Sequence, residues 1–168
     1  NWNSTSSWQT SADLVTWYSA IAPPDFNANT ITIRSGHTIT INTAVTADQI
    51  TVDNGGTLFY NSSTSATAFT LNDGSGVADL IVNGTFLDSP TSSTAGFAFS
   101  AGATWSLGSN GTYIKTAGTS AAVWRDNYSG GISTIPATAN WILRKSGTSV
   151  PAMSTTGGMH YPNLTIES

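Results

Sequence analysis

The side chains with most to offer chemistry are few: eight Asp, the single Glu167 and two histidines, His37 and His160. Hydrolysis of a glycosidic bond needs two carboxyl groups roughly 5 to 10 Å apart. A β-elimination needs acidic calcium ligands beside a base able to take a proton. Asp48, Asp53, Asp73, Asp79 and Asp88 are the acids nearest the repeated phrases of the sequence, and most stand at or near Gly-containing corners. Asp at a strand corner ordinarily accepts backbone N–H bonds within its own turn, and that is the role expected of these five. Asn72-Asp73-Gly74-Ser75-Gly76 has the flavour of a calcium loop. It lacks the alternating acids and terminal Glu of an EF-hand, and no Gly-Gly-x-Gly-x-Asp repeat follows, so a Gly-rich turn is expected and no metal site. The histidines have no paired acid or Ser motif and read as surface residues. No nucleophile elbow, phosphate loop or dinucleotide fingerprint occurs, so no cofactor is expected and the chain does not read as an enzyme.

The elements that would position these groups follow from composition. Only 8% of residues are charged, while 39% are hydrophobic and 10% aromatic, so the chain has enough apolar content for a core and covers it with something other than charge. Ser and Thr supply that surface, with Asn and Gly behind them. Thr suits a pleated strand, and Asn and Gly suit tight turns. The 168 residues fit one domain. A net charge of −4 with five scattered Lys and Arg offers no basic stripe for nucleic acid. No apolar run approaches the ~20 residues of a membrane span. Cysteine is absent, which removes disulfides and thiolate chemistry.

Ser11 to Ile21 places Leu14, Trp17, Tyr18 and Ile21 at helical spacing, with Ser11 as N-cap and Pro23-Pro24 as a stop, so one short helix is a reading open there. From Thr30 onward the period is two: Ile31-Thr-Ile33, Ile39-Thr-Ile41, Ile50-Thr-Val52, Leu58-Phe-Tyr60, Phe69-Thr-Leu71, Leu80-Ile-Val82, Phe97-Ala-Phe99 and Trp105-Ser-Leu107. The corners repeat as x-Gly-x-Thr-apolar at Ser35–Ile39, Asn54–Leu58 and Ala101–Trp105, with 19 residues between the first two. A shorter Asn-Gly-Thr-aromatic form recurs 27 residues apart, at Asn83–Phe86 and Asn110–Tyr113. Such periods mark stacked architectures. Strands this short suit the sides of a solenoid rung better than a sandwich sheet. The expected fold is all-β, a right-handed parallel β-helix. An N-terminal cap is expected over residues 1–29, a solenoid over 30–168, and an irregular insertion near 119–141. An antiparallel β-sandwich is the alternative, because Asn-Gly is also a hairpin signal.

Trp2-Asn-Ser-Thr-Ser-Ser-Trp8, Pro23-Pro24-Asp25, Thr30–Ile33, Gly36–Ile41 and Ile50-Thr-Val52 resemble the opening of secreted Bacteroidetes proteins that leads into a parallel β-solenoid. His160-Tyr-Pro-Asn-Leu-Thr-Ile166 is similar to a "YYNLTI" phrase of the same proteins. The resemblance implies a secreted or cell-surface location and no particular activity.

Two groups of residues remain as candidates for binding. Trp124, Arg125, Asp126 and Tyr128, ahead of Gly130-Gly131, Pro136 and Trp141, form a candidate glycan patch, since aromatics stack on sugar faces and Arg and Asp bond hydroxyls. The competing expectation is that these aromatics, like Trp2, Trp8, Trp17, Tyr18 and Phe26, cover the side or the end of the column. The second group concerns self-association: Trp2 and Trp8 at one end, Leu164 and Ile166 on a strand-like close at the other. The six Asn-x-Ser/Thr sequons, at Asn3, Asn61, Asn83, Asn110, Asn127 and Asn163, are read as products of composition. The functional expectation is a structural subunit or module of an extracellular assembly, partnered by other copies or adjoining solenoid segments and associating head-to-tail into a filament. A glycan-binding adhesin comes next, and a polysaccharide-active enzyme acting through Asp73 or Asp79 third.

Overall fold

The computed structural model describes residues 1–61, 69–74, 78–89, 97–116, 132–134, 138–144 and 163–167. Every statement below concerns these. Apart from one 3-10 turn at Thr5–Ser7, the regular structure is strand. Strands β3 to β13 are dealt in turn to three parallel sheets, an arrangement compatible with a β-helix-like fold, after which β14 joins the first sheet and β15 and β16 both join the second.

The first sheet stacks β3 (Ile31–Ile33), β6 (Ile50–Val52), β9 (Leu80–Val82), β12 (Trp105–Leu107) and β14 (Ile132–Thr134). The second stacks β4 (Thr38–Ile41), β7 (Thr57–Tyr60), β10 (Thr85–Asp88), β13 (Thr112–Thr116), β15 (Asn140–Arg144) and β16 (Asn163–Glu167). The third stacks β5 (Val45–Ala47), β8 (Phe69–Leu71) and β11 (Phe97–Phe99). Only β1 (Gln9–Thr10) and β2 (Tyr18–Ser19) pair antiparallel. The sandwich alternative therefore falls. Asn83-Gly84 and Asn110-Gly111 do not close hairpins; each carries the chain from one sheet to the next. The reason is that each strand finds its partner one circuit away: Thr38 is in register with Thr57, and Thr85 with Thr112, matching the 19- and 27-residue repeats.

Alternation decides what is inside. On the second sheet the buried positions fall in two columns, Ile39–Leu58–Phe86–Tyr113–Trp141 and Ile41–Tyr60–Asp88–Lys115–Leu143. The first sheet adds Ile33, Val52, Val82 and Leu107, and the third adds Ala47, Leu71 and Phe69. Asp88 and Lys115 apart, all belong to one apolar cluster, each large side chain contributing ~1.5–3 kcal/mol by leaving water. Phe69 stacks on Phe97 at 4.8 Å and meets Phe86 edge-on at 6.3 Å, and Tyr113 lies 4.6 Å from Trp141.

The corner between the first and second sheets is a column of its own. Thr57, Thr85, Thr112 and Asn140 each donate a backbone N–H to the residue one circuit earlier, the carbonyls of His37, Gly56, Gly84 and Gly111, at 2.8–2.9 Å. Both the long corner phrases and the short Asn-Gly-Thr phrases fall here. The third long phrase, Ala101–Trp105, does not. It turns from the third sheet into the first, sharing only its left-handed glycine with the others.

The helix open to Ser11–Ile21 does not form. The Asp13 carboxylate instead accepts the N–H groups of Val15 and Thr16 at 2.9 and 2.8 Å, Leu14 adopts φ 60°, and Tyr18–Ser19 goes into β2. A short acidic side chain that captures nearby amides offers the backbone an alternative to the helical ladder. Of the stretch expected to interrupt the repeat, Ile132–Thr134 and Asn140–Trp141 lie in stacked strands, and residues 117–131 and 135–137 are outside the described residues.

Candidate functional site

Three places on the column have the ingredients of a site. The first is the corner where the third sheet turns into the first. Asp79, 2% exposed, accepts the Gly74 N–H at 2.6 Å and the Thr104 N–H at 2.8 Å, so both its oxygens are engaged by backbone. Asp48 lies beside it, buried, with its Oδ1 lacking a hydrogen-bond partner among the described residues. Burial, and then the negative charges of Asp79 and Asp25, hold the Asp48 carboxyl above its usual range. The corner expectation is met by Asp79, whereas Asp48 keeps a backbone hydrogen bond but leaves its Oδ1 without a partner among the described residues. Among the described residues no group of three His, Cys, Asp or Glu side chains is placed to hold a metal ion.

The second place was misassigned by sequence. Asp88 stands at an inward position of β10 and not in a turn. Its Oδ2 lies 2.8 Å from Lys115 Nζ on β13, its register partner, and accepts the Tyr113 hydroxyl at 2.6 Å. Asp88 and Lys115 are each 3% exposed. Asp88 Oδ1 has no hydrogen-bond partner among the described residues. A signal for this pair did exist. Aligning Asn83-Gly-Thr-Phe-Leu-Asp88 on Asn110-Gly-Thr-Tyr-Ile-Lys115 sets acid against base, and counting alternate residues from Phe86 and Tyr113 turns both inward.

The third is the outside of the column and its ends. Along the second sheet the outward positions align Thr38, Thr57, Thr85 and Thr112 in one row and Thr40, Phe59, Leu87, Ile114 and Ile142 in the next. The four apolar members of that row are half-buried. At the start, Trp2 is 1% exposed, its backbone N–H on Thr40 O at 2.8 Å and its ring 5.1 Å from Trp8, which packs against the core. Trp2 is thus part of the core and presents no free face. The Trp17 ring carries the Arg34 guanidinium at 4.4 Å. A hollow of about 240 Å³ between Trp2, Pro23, Pro24, Asp25 and Val45 falls short of the ~300–1,000 Å³ of ordinary ligand pockets.

Among the described residues, the large apolar side chains left exposed are Leu14, Val15, Tyr18, Ile21 and Phe26 near the start, and Leu164 and Ile166 on β16. β16 pairs with β15 in full register, Leu164 on Trp141 and Ile166 on Leu143, so it prolongs the two columns, and no strand among the described residues pairs with its other side. His37 is exposed at its corner. Trp124, Arg125, Asp126, Tyr128 and His160 lie outside the described residues.

No helix of the described residues is long and apolar enough to cross a membrane. Comparison with protein families, with curated proteins and with solved structures yields no match for the chain. The function therefore rests on geometry alone.

Proposed function

We propose that this chain is a structural module of an extracellular or cell-surface assembly: a right-handed parallel β-helix, capped at residues 1–29, that associates end to end with further copies. The observation that carries this reading is where the exposed apolar side chains sit. They gather at the two ends of the chain, Leu14, Val15, Ile21 and Phe26 at one and Leu164 and Ile166 at the other, with Ile21 98% and Ile166 60% exposed. A strand edge such as that of β16, with no partner among the described residues, recruits another backbone, and Leu164 and Ile166 prolong columns that are buried elsewhere. Because the two surfaces differ, the contact is heterologous, and it propagates into a filament when the rotation does not close.

Sedimentation and electron microscopy of the purified chain test the proposal. Concentration-dependent oligomers or filaments are expected, and Leu164→Asp with Ile166→Asp returns the protein to monomer, since a carboxylate on that edge must be desolvated on docking. A discrete monomer at all concentrations refutes it.

The outer face of the second sheet favours a second reading, glycan adhesion. Phe59, Leu87, Ile114 and Ile142 form an apolar row beside the threonine row, the pairing of flat apolar surface with hydroxyls that a sugar face and its rim require. Glycan-array binding lost in Phe59→Ala with unchanged assembly would promote this reading over the first.

A further inference from the structure

We infer that Lys115 and Asp88 condense into an intramolecular amide bond that ties β13 to β10. The inference is independent of whether the module assembles. Two opposite charges 2.8 Å apart, each residue 3% exposed, sit in a column between Tyr60 and Leu143 and beside Phe86, Tyr113 and Trp141. Burying an ion pair is costly unless every lone pair and proton is satisfied, and Asp88 Oδ1 is not. Transfer of one proton from Nζ to the carboxylate removes both charges from this apolar setting. It also creates the two reactants of amide formation, a free amine and a carboxylic acid, already in contact.

The step balances without any further reagent. The Nζ lone pair adds to Asp88 Cγ, and Oδ2, the oxygen in contact with Nζ and with the Tyr113 hydroxyl, is the one that leaves. It takes the first proton from the ammonium and a second from the nitrogen once the C–N bond has formed, and departs as water, while Oδ1 remains as the amide carbonyl. One ammonium and one carboxylate are consumed; one amide and one water are formed. Fixed contact replaces collision, an advantage equivalent to ~10⁵–10⁸ M in well-oriented intramolecular reactions. Burial also disfavours the reverse hydrolysis, because the water must return to a site whose two residues are 3% exposed. The bond joins two adjacent stacked strands whose backbones are already in register.

The test is the mass of the intact, denatured protein, followed by a protease digest. The expected mass is lower than that of the sequence by one water, with a branched peptide joining position 88 to position 115. Lys115→Met returns the full mass of its own sequence. A wild-type protein of full sequence mass overturns the inference and leaves an ordinary buried ion pair. A deficit that persists in Lys115→Met, or that maps to a succinimide at Asp73-Gly74, overturns it equally.

Discussion

Two glycines separate the two reasons a stacked column needs glycine, and their replacement by alanine tests the stacking itself. Gly36 has φ +78° and open space where a Cβ would go. Gly56 has no such φ, but its Cβ would lie 2.6 Å from Ile33 O, 3.0 Å from Arg34 O and 3.1 Å from Asp53 O. Carbon and oxygen normally approach to about 3.3–3.6 Å, so all three contacts are too close, and all three partners are backbone carbonyls already held by hydrogen bonds, from Asp53, His37 and Gly56 N–H in turn. Gly36→Ala costs ~1–2 kcal/mol of left-handed strain, offset by ~0.4–1 kcal/mol from the stiffer unfolded chain. Gly56→Ala forces one circuit away from the next and costs about 3 kcal/mol, the upper end for overpacking. At ~2–4 °C per kcal/mol, Gly56→Ala lowers the Tm by roughly 6–12 °C and Gly36→Ala by about 6 °C at most. Urea unfolding followed by the fluorescence of buried Trp105 and Trp141 reads both. If Gly36→Ala proves the more damaging, or Gly56→Ala is neutral, the close approach of successive circuits at this corner is wrong.

Other perturbations address the corner acids and the aromatic interior. Asp79→Ala leaves the Gly74 and Thr104 amides without their acceptor and is expected to cost ~3–5 kcal/mol in urea unfolding, with Asp79→Asn losing less. Asp48 holds its proton in the folded state to a higher pH than in the unfolded chain. The folded state therefore binds more protons as pH rises from the ordinary carboxylate range to that raised value, and stability falls across this window. Asp48→Asn removes this loss, so the variant is flatter in pH and more stable at neutral pH, as denaturant midpoints measured along a pH series will show. Asp13, held low mainly by the Thr16 and Val15 amides, acts in the opposite sense, its contribution being lost only as the solution becomes strongly acidic. Phe69→Ala, deleting a ring that touches Trp2, Tyr60, Phe86 and Phe97, is expected to cost ~3–5 kcal/mol by calorimetry.

Much of the column was legible because it depends on period and type. Ile31-Thr-Ile33, Ile39-Thr-Ile41 and Ile50-Thr-Val52 alternate in sequence and alternate in burial, since a strand turns successive side chains to opposite faces. The repeat spacing foretold the register, since parallel strands one circuit apart are joined by the intervening chain. What misled was local chemistry taken out of its context. Ser11–Ile21 had helical spacing, but Asp13 captured the amides a helix would need. Ala101–Trp105 matched the other corner phrases in letters while turning between different sheets. Asp88 was expected in a turn because Asp usually is, although the neighbouring repeat pointed it at Lys115.

The amino-acid order by itself determined that this protein is built of short strands, which residues face inward along each, and how far apart the paired strands lie, because alternation and repeat length are properties of the chain. Only the tertiary structure decided which ends of the stack remain exposed, that Asp48 is left without a partner for one oxygen, and that Asp88 and Lys115 meet in the dark of the interior. These depend on distances between circuits some two dozen residues apart, where burial strengthens a charge interaction that water would otherwise screen.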